Sequence, residues 1–185
     1  MNYDRRMGYS LGWIAAKGIH PREILKKLGL GPRSTDWELD DGFAAAGLRL
    51  PSGWYLVIIL NEAGVPWSAE PYAALSTMGV VVRFLLEREP SASLAQGFHA
   101  GAKQWELWHD PEDGPAALQV SGTPPECFEA IRQKRLAAEP SDSPRTCGLD
   151  IIIDVCESLT GFRYDKLPEV TMPYVHLNIG PTDTL

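Results

Sequence analysis

The chain of 185 residues is 44% hydrophobic and 22% charged, the composition of one globular domain able to bury a core without disulfide or metal staples. A formal net charge of −7 disfavours a phosphate-backbone partner and favours a cation-rich one, so nucleic acid is not expected. Three cysteines, Cys127, Cys147 and Cys156, without a CxxC spacing point to a reducing compartment, and no apolar run reaches the ~18 residues of a membrane span. The expectation is a cytoplasmic protein.

In chain order, Tyr9 to Ala16 alternates like a first strand. Arg5-Arg6 before Met7–Ala16 superficially suggest a signal peptide, but Ser10, the glycines and Lys17 favour the strand. His20-Pro21 opens a short helix with Ile24, Leu25 and Leu28 inward, and Gly29 stops it. Gly31 to Ser34 reads as a loop, Asp36 to Asp41 as an edge strand or an acidic loop, and Phe43 to Leu50 as ambiguous. Gly53 to Leu60 is an unbroken apolar run, bounded by Pro51-Ser52 and Asn61 to Gly64. It predicts a strand buried on both faces near the middle of a sheet.

Ser68 is the expected cap of a helix running to about Met78 and ended by Gly79, and Val80 to Glu89 is a strong strand. Leu94–Phe98 and Gln104–Asp110 predict a hairpin around Gly101-Ala102, with Phe98 facing Trp105 and with Gly97 and Ala95 facing Glu106 and Trp108. That register sends His99 and His109 to opposite faces. Leu118 to Val120 follows the turn at Pro111–Gly114. Thr123-Pro124-Pro125-Glu126 predicts a capped helix start with Phe128 and Ile131 inward, and Asp154 with Glu157 a second capping box for a short helix stopped by Gly161. Tyr174 to Ile179 alternates like a strand. The fold class expected is α+β, a largely antiparallel sheet with short helices packed on it and a C-terminal helical and extended segment. The main domain spans 1–139, a linker-like loop 140–149, and the C-terminal helix and tail 150–185 pack on the same domain.

Catalytic signatures are sparse. No Gly-x-Ser-x-Gly elbow, Walker motif or dinucleotide fingerprint occurs, and no cofactor or metal is expected. His109-Asp110 with Glu112-Asp113 is too loose a spacing for a metal site. Cys127, in the first turn of a helix beside Phe128, reads as a packed structural cysteine. An enzyme or ligand-binding alternative would use His99, Glu106 or His109 in a pocket between sheet and helices, and a scaffold would expose a large apolar patch.

The stronger chemistry is that of an interface. Asp36, Glu38, Asp40 and Asp41 surround Trp37, and Trp67 also lies near a turn. An exposed aromatic anchors while carboxylates meet Arg or Lys of a partner and speed encounter. Glu112 and Asp113 complete the set of candidate contact residues.

Two stretches, Gly53-Trp54-Tyr55-Leu56-Val57 and Ser158 to Asp165 with the preceding Trp105–Asp110 strand, resemble small uncharacterised bacterial proteins, some of the kind found as immunity partners of secreted toxins. The resemblance spans Tyr9 to Asp165 and includes no catalytic motif. It implies an acidic, cytosolic protein that works by binding, here a toxin-neutralising inhibitor that masks an active site of a basic partner.

Overall fold

The computed structural model describes residues 11–32, 45–60, 68–87, 92–114, 117–138, 147–164 and 175–179. They form nine strands, β1 (Leu11–Lys17), β2 (Leu30–Pro32), β3 (Ala45–Arg49), β4 (Tyr55–Leu60), β5 (Val80–Leu86), β6 (Ser93–His99), β7 (Ala102–His109), β8 (Gln119–Gly122) and β9 (Val175–Ile179). Four helices accompany them: α1 (Pro21–Lys27), α2 (Glu70–Leu75), α3 (Cys127–Ala138) and α4 (Cys147–Thr160). The strands make one sheet in the order β2-β9-β3-β4-β1-β5-β6-β7-β8, antiparallel throughout. The protein is therefore α+β.

The apolar run of β4 divides its side chains between two cores. Leu56 and Ile58 pack with Trp13, Phe84, Leu107 and the α4 residues Ile151, Ile152 and Val155. Tyr55, Val57 and Ile59 pack with Ile14, Val81 and Phe98 and with Ile24 of α1 and Tyr72 of α2. Because strand side chains alternate in direction, helices on both faces demand apolar residues at every position of a central strand. β4 lies beside β1, which occupies the centre of the nine.

Local signals explain the ends of α1. His20 is extended and its Nδ1 accepts the Arg22 N–H at 3.3 Å, Pro21 opens the first turn, and Gly29 turns the chain left-handed at φ 67°. Elsewhere tertiary contacts displace the expected boundaries. Ser68 does not cap α2, whose N-cap is Ala69. Thr123 does not cap α3: its N–H donates to the Gln104 carbonyl at 2.9 Å, extending the sheet, so the helix begins at Cys127. Phe128 is nonetheless buried, and Ile131 packs on the same core. Gly31-Pro32, read as loop, pairs with β9.

The β6–β7 register also differs from expectation. His99 pairs with Ala102 across a two-residue turn in which Ala100 and Gly101 have φ of 51° and 79°, the left-handed pair that suits strand twist. Phe98 then pairs with Lys103, but Gly97 pairs with Trp105, so Gln104 is an extra residue on β7. Its side-chain amide folds back onto the His99 and Ala102 carbonyls at 3.0 and 3.3 Å. This bulge puts the Trp105 indole over Gly97 instead of beside Phe98.

Asp154 lies inside α4, not at its start, and holds three elements together. Arg135 of α3 donates to both of its oxygens at 2.5 and 2.7 Å, and Arg163 beyond the helix end donates to Oδ1 at 2.5 Å. Burial opposes ionisation of Asp154, yet the hydrogen bonds and charges of the two arginines outweigh it and keep the carboxyl below its ordinary value. A depressed folded-state value stabilises fully above the ordinary aspartate range, about pH 4, and is lost as pH falls below it. Asp154→Asn should cost about 1–3 kcal/mol at neutral pH, since it removes the charge that Arg135 and Arg163 share and leaves them the longer contacts to Asp150 and Glu157. Urea denaturation should show that deficit shrinking between about pH 4 and pH 2. A deficit that stays constant with pH would assign the loss to packing.

Candidate functional site

Most groups with catalytic potential are engaged by neighbours. β5 reads Val80-Val81-Val82-Arg83-Phe84-Leu85-Leu86, and pairing sets Arg83 between Ile14 and Gln96, with Glu106 next in the row. Arg83 is 1% exposed and lies under α2 with its guanidinium 4.6 Å from the Tyr72 ring centre. It donates to Gln96 Oε1 at 3.4 Å, and Gln96 Nε2 donates to Glu106 Oε2 at 2.6 Å. Lys103 meets the same oxygen at 2.6 Å from the solvent side. The row carries a positive charge inside the sheet and relays it to a carboxylate at the surface.

Burial pushes the Tyr72 hydroxyl up to about 12 against the opposing pull of Arg83, so it remains a phenol at neutral pH. Burial would raise the Glu106 carboxyl, but hydrogen bonds from Lys103 and Gln96 and the two cationic charges bring it below its ordinary value. Glu106 is thus an ionised partner of the row, unsuited to act as a general acid near neutrality.

The two hairpin histidines stand on the same face of β6–β7, contrary to the expected register. Ser93 pairs with His109, and Ser93 and His99 share the alternation of β6. Six residues of strand, about 20 Å, separate the two positions. His99 is exposed near the hairpin turn, whereas His109 is buried, with Nδ1 2.7 Å from the Ala117 carbonyl oxygen. That acceptor assigns the proton to Nδ1. The first turn of α4 rests on this ring: a Cβ on Gly148 would stand 2.3 Å from Nδ1. Ser93 Oγ, facing the same layer, is buried with no hydrogen-bond partner among the described residues. His99, Glu106 and His109 do not converge.

The cysteines are likewise structural. Cys156 sits well inside α4, and burial, seconded by nearby Cys127, raises its thiol far above the ordinary range. The crevice bounded by Trp13, Phe84, Ile153, Cys156, Phe162, Arg163 and Tyr164 is filled by its own side chains, leaving no room for a water molecule.

An open surface lies at the other end of the hairpin. After β7, Asp110 accepts the Glu112 N–H at 2.9 Å and caps a 3-10 turn, Pro111–Asp113. Glu112 and Asp113 project into solvent, and Asp113 Oδ2 accepts from Gln119 Nε2 on β8 at 3.3 Å. Among the described residues β8 forms one edge of the sheet, and all four of its residues are exposed. Asp110 and Asp113 are thus held, with Glu112 exposed between them, beside a strand that pairs on one side only among the described residues.

Of the candidate contact residues, Glu112 and Asp113 lie on this turn. Asp36, Trp37, Glu38, Asp40, Asp41 and Trp67 fall outside the described residues. Sequence reasoning missed Arg83 and Gln96; the available signal was a lone cation inside an apolar strand. Comparison with known proteins finds no matching family, no matching curated protein and no matching solved structure. No helix among the described residues is long and apolar enough to cross a membrane.

Proposed function

We propose that the protein acts by binding another protein through its acidic surface, most specifically as an immunity-type inhibitor that masks the active site of a cognate toxin. The observation that carries the binding reading is the Asp110–Asp113 turn. The Asp110 carboxylate is held by the cap and that of Asp113 by Gln119, so their charge is presented without first being ordered, and Glu112 stands exposed between them. The engagement of Glu106 by Gln96 and Lys103 and the burial of the Cys156 thiol favour binding over catalysis. The immunity-type specification comes from the resemblance of Gly53–Val57 and Ser158–Asp165, with Asp36, Trp37, Glu38, Asp40, Asp41 and Trp67 as further contacts.

The test is capture of partners from host lysate by the tagged chain, washed at low and at high salt, with mass spectrometry. A stoichiometric partner released as salt rises is expected, and Glu112→Lys with Asp113→Lys should slow its association about tenfold. An association rate unchanged in that double variant removes the turn from the interface. Rescue of cells expressing the partner separates a toxin inhibitor from any other binding protein.

A further inference from the structure

The ladder between β7 and β8 shows which backbone groups of the edge are open. Thr123 N–H reaches the Gln104 carbonyl, and Ser121 is in register with Glu106. Along an antiparallel strand the N–H and C=O of one residue point to the same side and those of the next to the other. Ser121 and Gln119 therefore turn their backbone toward β7, while Val120 turns its N–H and C=O outward. Its side chain is 41% exposed. Natural sheet edges are blunted by shortness, lysine, proline or inward-pointing charge; β8 is short, with four residues, and Gln119-Val120-Ser121-Gly122 contains no lysine, proline or charge.

We propose that two copies of the chain associate about a two-fold axis through β8, antiparallel, with Val120 opposite Val120. This inference is independent of the toxin-inhibitor reading. The strand is self-complementary in that register. Val120 lies against its own counterpart, and Gln119 lies against Ser121 of the second copy, apolar on apolar and neutral amide on hydroxyl. Charge selects the antiparallel sense. The Asp110–Asp113 turn adjoins the Gln119 end, so antiparallel pairing sends the two acidic turns to opposite ends of the junction, whereas a parallel pair would set them side by side. Four residues make a small junction, and the dimer forms in a concentration-dependent equilibrium.

Sedimentation equilibrium of the full chain from about 5 to about 500 µM tests this. The mass should rise from the monomer's 20.4 kDa toward twice that value. Val120→Pro removes only an N–H that β7 does not use, and should hold the mass at the monomer with the far-UV circular dichroism unchanged. A second measurement does not depend on that variant folding. In a Cys127→Ser background, Val120→Cys should cross-link to its counterpart on mild oxidation. Ser121→Cys, whose counterpart across the axis is Gln119, should cross-link far less. A monomer at every concentration, a dimer that survives Val120→Pro, or equal cross-linking at the two positions would each overturn the proposal.

Discussion

Arg83→Ala should destabilise the protein by about 3–5 kcal/mol, seen as a lower urea midpoint at constant slope. The truncation removes the cation held by Tyr72, Gln96 and, through Gln96, Glu106, and opens a cavity under α2 in the middle of β5. Buried charges contribute little net stability when whole, but removing one partner exposes the desolvation cost of those that remain. Arg83→Met should recover about half of the loss. It refills most of the volume, and the Gln96–Glu106–Lys103 part of the row stays hydrogen-bonded without the guanidinium. A deficit below about 1 kcal/mol for the alanine variant would mean that the row is dispensable.

Gly97→Ala should cost about 3 kcal/mol, the upper end of overpacking penalties. A Cβ at Gly97 would stand 2.1 Å from Trp105 Nε1 and 2.2 Å from Cε2, in the body of a buried ring. The indole cannot swing away, because Leu107 and Phe128 pack in the same core and Trp105 is 7% exposed. In a Trp105→Ala background the same change should cost less than about 0.5 kcal/mol, since the clash is gone. Full cost in both backgrounds would contradict the bulged register that sets Gly97 under Trp105.

That register shows where sequence reasoning stops. Hydrophobic alternation places both strands of the hairpin, and the pairing of a large ring with a small residue is legible as a principle. A single extra residue, Gln104, slides all later partners, and its accommodation depends on the Thr123 N–H arriving from beyond β8. The start of α3 fails for the same reason. Thr123-Pro124-Pro125-Glu126 has the composition of a cap, but a sheet hydrogen bond to Gln104 takes the donor first. Asp154 was likewise read as a cap because a helix terminus is the commonest local use of an aspartate. Its two arginine partners lie nineteen residues before it and nine after.

Of the candidate site, Glu112 and Asp113 were legible as exposed carboxylates because Pro111 and Gly114 mark a turn in any context. Their position beside an edge strand was not, since the edge is defined by what fails to pair with β8. Arg83 was visible only as an oddity among apolar neighbours. The tertiary structure made it part of a relay through Gln96 to Glu106.

Forces that act over a few residues suffice for several elements. Alternation and apolar runs made β1, β4 and β5; Pro21 and Gly29 bounded α1; Gly161, at φ 78°, stopped α4. Long-range packing, by contrast, sets β1 at the centre, inserts β9 between β2 and β3, and brings the acidic turn beside β8, an edge among the described residues. Those arrangements depend on pairing energies between residues far apart in the chain. Such energies compare many partners of similar local pattern, and the choice is made by the collective burial of two cores across one sheet.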